Sequence, residues 1–90
     1  MKSAPIITPP ASKNIKSGRV FLHPGEEIGE HVTKNREEII IILKGTATIT
    51  DGDKNIVKAG ETYFVKEDVK HNVKNESDQN LEYIYVVSLF

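Results

Sequence analysis

His31, Glu38 and His71 are the residues of this 90-residue sequence whose types are best suited to chemistry. Imidazole nitrogen together with carboxylate oxygen suits a divalent transition metal such as iron, manganese, nickel, copper or zinc. The sequence contains no cysteine, which excludes a thiolate metal site and a disulfide scaffold. Spacing alone leaves a second interpretation open, in which both histidines are ordinary strand residues that are hydrogen-bonded or exposed.

The alternation of side chains along strands determines whether these three residues can meet. His31 and Thr33 share one face of a predicted strand, whereas Glu38 lies an odd number of residues beyond His31. A turn at residues 34–36 is therefore needed to bring Glu38 back to the same side. Its carboxylate then leads into an apolar row of isoleucines, which is costly unless the charge is paired or metal-bound. His71 likewise shares its face with two valines.

Short runs of β-branched and aromatic residues alternate with turn signals from residue 19 onward, as expected of a β-sandwich or β-barrel. Asp51-Gly52 is a strong hairpin signal, because both residues tolerate positive φ angles. A helix over residues 26–38 is the alternative there, and Gly29, Val32 and Thr33 disfavour it. The predicted strands are residues 19–22, 29–33, 37–43, 46–50, 55–57, 62–65, 71–75 and 81–89.

The chain is long enough for one small domain, which we place at residues 15–90. Three of the four prolines fall within the first ten residues, so residues 1–14 are predicted to form an extended N-terminal arm. Ile6 and Ile7 could add a strand to a sheet edge, including the edge of a neighbouring subunit. A disordered tail is the alternative for this arm.

Two predicted strands, at residues 39–43 and 83–87, are apolar on both faces. Each such strand needs cover on both sides, by the barrel interior on one side and by a second sheet or subunit on the other. We therefore predict a homodimer, although a two-sheet core would by itself account for one of the two strands.

Charge and hydropathy limit the partners of the chain. The formal net charge is −1, and basic and acidic residues are mixed, so no basic stripe is present to attract nucleic acid or an anionic membrane. No apolar run is long enough to span a membrane, and the first residues lack the apolar core of a signal peptide. We expect a cytoplasmic protein with neither nucleic acid nor membrane as a partner.

The sequence resembles the two signature motifs of the cupin superfamily. The first motif is G-x5-H-x-H-x3-4-E-x6-G, and its positions are occupied by Gly25, His31, Thr33, Glu38 and Gly45. The second is G-x5-P-x-G-x2-H-x3-N, and its positions are occupied by Gly60, Lys66, Asp68, His71 and Asn75. Seven of the ten positions carry the motif residue, and every spacing is satisfied.

This resemblance implies an all-β, double-stranded β-helix (jelly-roll) barrel with a pocket in its mouth. It also implies that His31, Glu38 and His71 are metal ligands, while Thr33 stands where a second histidine would be expected. Three interpretations remain open. Two histidines and one carboxylate hold the metal as in a facial triad, or Thr33 holds a metal-bound water, or metal binding is lost and the pocket binds a small molecule by hydrogen bonds.

Two functions follow from the resemblance. The first is a metal-binding cupin acting on a small polar molecule by dioxygenase, decarboxylase, lyase or isomerase chemistry, with one divalent metal and no organic cofactor. The alternative is a non-catalytic cupin that binds or senses a small ligand through a degenerate metal site, with Thr33 marking that degeneration.

Overall fold

A computed structural model describes residues 2–89, which form strands and turns only. The all-β fold predicted from the sequence is confirmed. Met1, the first residue of the predicted arm, and Phe90, the last residue of the predicted domain, lie outside the described residues. The strands are β1 (Lys2–Ile7), β2 (Ile15–Leu22), β3 (His31–Val32), β4 (Arg36–Lys44), β5 (Thr46–Thr50), β6 (Lys54–Lys58), β7 (Thr62–Val65), β8 (Lys70–Lys74) and β9 (Leu81–Leu89).

The strands pair antiparallel in two sheets. One sheet has the order β1-β2-β9-β4-β7 and the other has the order β3-β8-β5-β6. Strands that are distant in sequence lie side by side, as β2 and β9 do, which is the connectivity of a jelly roll rather than of a meander. The core fills the space between the sheets and consists of Val20, Leu22, Ile40, Ile42, Ala47, Ile49, Val57, Val65, Val73, Leu81 and Tyr83.

The alternation on β4 sets the position of the candidate carboxylate. Glu38, Ile40 and Ile42 are buried on the inner face, whereas Ile39 on the outer face is exposed. The inward row of Glu38 with two isoleucines, predicted from the sequence, is therefore confirmed.

The alternative helix over residues 26–38 does not form. Gly29 has a φ of +109°, which is incompatible with a right-handed helix, and residues 31–32 pair as β3 with β8. The strand predicted at residues 29–33 is shorter than expected, because the chain at Gly29 turns its backbone N–H to the Asn72 side chain at 2.9 Å. No helix within residues 2–89 is long and apolar enough to cross a membrane.

The N-terminal segment pairs with the chain's own sheet. Strand β1 lies antiparallel to β2, with Ser3 opposite Val20 and Pro5 opposite Gly18. Every residue of β1 is exposed, so main-chain pairing rather than burial holds the strand at this edge. Of the two alternatives for the arm, the structure shows strand addition within the same chain.

Candidate metal centre

His31 and His71 are direct partners in the pairing of β3 with β8. Their rings lie 4.1 Å apart between centroids and are tilted by 58°. Glu38 reaches the same point from β4 in the opposite sheet, and the potential ligand atoms of all three residues lie within 4.8 Å of one another. The structure thus brings together the three residues that the sequence analysis selected.

Hydrogen bonds fix the orientation of both imidazole rings. His31 Nδ1 lies 3.0 Å from the Gly29 carbonyl oxygen, and His71 Nδ1 lies 3.1 Å from the Val69 carbonyl oxygen. A carbonyl oxygen can only accept, so Nδ1 carries the hydrogen in each ring. Each neutral ring then presents the lone pair of Nε2, and a hydrogen bond from the other nitrogen to a carbonyl is typical of metal-binding histidines.

The Nε2 atom of His71 is the strongest indication of a ligand at this site. It is buried and, within residues 2–89, is the only buried side-chain nitrogen or oxygen without a hydrogen-bond partner. Glu38 Oε1 lies 3.4 Å away without the geometry of a hydrogen bond, and the two atoms attract each other only when a cation, a proton or a metal ion, lies between them. An unpartnered buried polar atom is costly, and a bound metal ion would satisfy it together with the carboxylate. The donor set and its burial therefore fit a divalent transition metal.

Electrostatics at His71 favour positive charge. Burial of the ring lowers the pKa of His71, but the Glu38 carboxylate and the hydrogen bond to the Val69 carbonyl raise it, and the net pKa is raised above its ordinary value. A cation, whether a proton or a metal ion, is thus stabilised between His71 and Glu38.

Two turns with positive φ angles bring the candidate ligand residues into register. Asn35, in the turn predicted at residues 34–36, has a φ of +55°, and it returns the chain so that Glu38 faces inward. Asp68 has a φ of +62° and donates its backbone N–H to the Thr33 carbonyl oxygen at 2.9 Å. Asparagine and aspartate tolerate this conformation better than other non-glycine residues, so Asp68 preserves the turn where the motif has glycine.

Thr33 is buried beside His71. Its Oγ1 lies 3.5 Å from His71 Nδ1, the nitrogen whose hydrogen already points to the Val69 carbonyl. The threonine hydroxyl therefore contacts the ring on the side opposite Nε2.

A cavity of about 490 Å³ adjoins the site, and of the three ligand candidates His31 and Glu38 line it. Thr33, Tyr83 and Tyr85 also contribute to its wall. Three cations also line it, namely Lys16, Lys34 and Arg36. His23 is not in the wall and instead contacts Asn80 Oδ1 at 3.1 Å through Nδ1.

Lys16 was missed by the sequence analysis. It precedes the predicted strand at residues 19–22, yet it shares the inward parity of Val20 and Leu22 on the longer observed strand β2. The alternation of β2 was the signal that could have placed Lys16 on the inner face. Residues 15–18 have no alternating apolar pattern of their own, so the sequence did not show that the strand begins at Ile15.

Two antiparallel sheets with jelly-roll connectivity and a close His–Glu–His group, in which Glu38 and His71 are buried and His31 is exposed, define a small double-stranded β-helix protein with a candidate metal centre. The sequence profile of the cupin domain matches residues 18–87, so the chain belongs to this family.

Two relatives are similar in sequence to most of this chain. An oxalate-binding protein of Thermotoga maritima is 32% identical over 72 residues, which cover 79% of this chain and 60% of that protein. A mannose-1-phosphate guanylyltransferase of Salmonella montevideo is 38% identical over 71 residues, covering 78% of this chain and 15% of that protein. The chain thus spans less than two thirds of either relative.

The fold also matches solved structures. The crystal structure of a predicted oxalate decarboxylase from Thermotoga maritima superposes with a TM-score of 0.91 at 27% identity, covering 98% of this chain and 79% of that one.

Proposed function

We propose that this protein is a metal-binding cupin that takes a small carboxylate ligand into its barrel. His31, Glu38 and His71 hold one divalent transition metal ion, and the ligand occupies the adjoining cavity. The observation that carries the proposal is the buried Nε2 of His71, which has no hydrogen-bond partner and lies 3.4 Å from the Glu38 carboxylate.

Charge supports an anionic ligand. The cavity wall contains three cationic side chains and a single carboxylate, Glu38, which the metal would neutralise. Positive charge concentrated in a cleft attracts anions, and arginine in particular matches the geometry of a carboxylate. The similarity to an oxalate-binding protein is consistent with this ligand class.

The metal, when bound, supplies Lewis-acid polarisation of a carboxylate or carbonyl oxygen. The chain's own residues orient the imidazoles, balance the charge of the metal and limit the access of water. The carbonyls of Gly29 and Val69 accept from Nδ1 of the two imidazoles and so leave each Nε2 free to bind the metal, and Glu38 supplies the compensating charge. Tyr83, Val20 and Val73 form an apolar inner wall that limits water around the site.

The first experiment is metal binding by the purified chain, with iron, manganese, nickel, copper and zinc offered in turn. We expect about one metal ion per chain, and loss of binding in His31→Ala and Glu38→Gln. His31 is exposed, so His31→Ala should remain folded, as circular dichroism would verify. His23→Ala is the matched control, because this third histidine lies outside the cavity wall and should leave binding unchanged.

No binding of any of these metals would refute the metal-binding proposal. With a metal bound, incubation with oxalate then separates the two functions. Release of carbon dioxide or uptake of oxygen indicates an enzyme, whereas oxalate that binds and is recovered intact indicates a binding protein.

A further inference from the structure

Inward-facing side chains of β2, β9 and β4 form cross-strand rows at the cavity. In the row nearest the mouth, Val87 lies between Lys16 on one side and Glu38 on the other. In the next row inward, Tyr85 lies opposite Gly18. Lys16 and Tyr85 are therefore diagonal neighbours on the cavity face, across the sheet from the candidate ligand Glu38.

Gly18 makes room for the ring of Tyr85. A Cβ atom at position 18 would lie 2.7 Å from the Tyr85 hydroxyl oxygen and 2.8 Å from Cζ, closer than side-chain atoms approach. The φ of Gly18 is not positive, so the reason for glycine here is space rather than backbone conformation. Glycine weakens a strand interior, so its presence at position 18 needs a reason, and the space taken by the Tyr85 ring provides one.

Neither polar group of this pair is used by the fold. The Tyr85 hydroxyl makes no hydrogen bond with any of residues 2–89, and the Lys16 ammonium is in no ion pair with them. By contrast, the Tyr63 hydroxyl outside this cavity donates to Asp51. A phenol donor and an ammonium group thus stand free in the wall of one cavity.

We propose that Lys16 and Tyr85 bind the second anionic group of a dicarboxylate whose first carboxylate lies at the His31–Glu38–His71 site. Lys16 and Glu38 are separated by one intervening strand, so their Cα atoms lie roughly 10 Å apart, and both residues line the same cavity. A short dicarboxylate fits between them, and a monocarboxylate reaches one side only. This inference rests on the proposed function and adds the residues that select dianions.

The test measures anion affinity by isothermal titration calorimetry of zinc-loaded protein, with malonate and oxalate as dianions and acetate as monoanion. We expect Tyr85→Phe and Lys16→Met each to weaken dianion binding about tenfold or more, as for a lost hydrogen bond to a charged group. In the same variants, the affinities for acetate and for zinc should each change less than about twofold. Lys58→Met is the control for a lost lysine, because Lys58 is exposed on β6 and absent from the cavity wall.

Gly18→Ala provides a second readout of the same contact. The added methyl group must displace the Tyr85 ring, so the substitution should weaken dianion binding in the wild-type background. In the Tyr85→Phe background it should add little, because the hydroxyl contact is already lost. Additive losses in the two backgrounds would contradict the assigned role of the hydroxyl.

The outcomes separate this inference from the proposed function. Zinc binding with equal affinity for dianions and acetate, unchanged in both variants, overturns the roles of Lys16 and Tyr85 and leaves the metal centre in place. Zinc binding without binding of any of the three anions overturns the ligand class and these roles together. Failure to bind metal overturns the proposed function, and this inference with it.

Discussion

Thr33 is the residue at which this chain departs from the motif it resembles, and its environment explains why the site can tolerate the change. The hydroxyl lies on the Nδ1 side of the His71 ring, where it adds a 3.5 Å contact to the hydrogen bond with the Val69 carbonyl. It therefore supports the ring that presents Nε2. In the proposed function, metal binding would rest on three protein ligands, which leaves more coordination positions for an external ligand.

A histidine at position 33 should restore a fourth protein ligand. We expect Thr33→His to tighten metal binding about tenfold, corresponding to about 1.4 kcal/mol. Because the extra ligand occupies a position that an anion would use, the affinity for oxalate should fall. Competition with a chelating metal indicator measures the first effect and calorimetry the second.

Thr33→Leu is the control for this substitution, since it enlarges the side chain without adding an atom that coordinates metal. Unchanged metal affinity in a folded Thr33→His variant would show that position 33 does not face the metal. Equal tightening in Thr33→Leu would attribute the effect to packing rather than to coordination.

The inward placement of Glu38 and His71 was predictable from local alternation, whereas His31 was selected through its place in the motif. Glu38 shares its parity with two isoleucines, His71 shares its parity with Val73, and both are buried as expected. The cationic wall was not predictable to the same degree. Whether Lys16, Lys34 and Arg36 converge on one cavity depends on the pairing of β2 with β9 and of β9 with β4, which no local pattern encodes.

Among the strands and turns, the β5–β6 hairpin shows both the strength and the limit of a local signal. Asp51-Gly52 predicts the hairpin, which forms, but the loop contains residues 51–53, and of the two signal residues only Gly52 has a positive φ. Asp51 has another role, because its carboxylate accepts hydrogen bonds from the Asp53 backbone N–H, at 3.1 Å, and from the Tyr63 hydroxyl. The aspartate thus ties the hairpin to β7 of the other sheet.

This tie should be visible in the titration of Tyr63. Burial, together with the hydrogen bond and charge of Asp51, raises the pKa of Tyr63 from 10.0 to about 12. The folded pKa is raised above the unfolded value, so the stability gained is present below pH 10 and is lost as the pH rises toward 12. Asp51→Asn should lower the pKa of Tyr63 only part of the way, because burial remains.

The pH dependence of tyrosinate ultraviolet absorbance measures the pKa of Tyr63. The Tyr63→Phe variant shows which part of the absorbance change belongs to Tyr63. Asp53→Asn is the control, since Asp53 acts on Tyr63 through charge alone and ranks below Asp51 in its effect. A Tyr63 pKa that is the same in Asp51→Asn and in the wild type would contradict the hydrogen bond.

The strands were predicted close to their observed bounds where apolar alternation is long, whereas the strand at residues 29–33 was predicted too long and β1 was only one of two alternatives for the arm. β1 has no buried residue, and its only distinguishing feature in the sequence was the pair Ile6 and Ile7. β3 contains two residues, both exposed, and its existence depends on the pairing with β8. Neither strand produces the periodic burial from which a strand can be recognised in sequence.

For the whole molecule, one question is what covers the outer face of the five-stranded sheet. Ile39 lies opposite Phe64 on β7 and opposite Val86 on β9, and these three apolar side chains point away from the core. Ile39 is 45% exposed and Phe64 is 50% exposed. The second, four-stranded sheet packs on the inner face only, so it does not provide the outer cover that the sequence analysis required of residues 39–43. The predicted homodimer remains a prediction, and this face is where we expect its interface.

Sedimentation velocity at micromolar concentration tests this arrangement. We expect the wild-type chain to sediment as a dimer and Ile39→Lys to sediment as a monomer, because a lysine at the centre of a self-paired apolar face places like charges together across the interface. The substitution is at an exposed position, so the thermal midpoint of the isolated subunit should change little.

Ile56→Lys is the matched control: Ile56 is 53% exposed on β6 of the other sheet, and its substitution should leave the dimer intact. A wild-type monomer would show that the apolar face stays open to solvent, whereas a dimer lost through Ile56→Lys and kept in Ile39→Lys would move the interface to the four-stranded sheet.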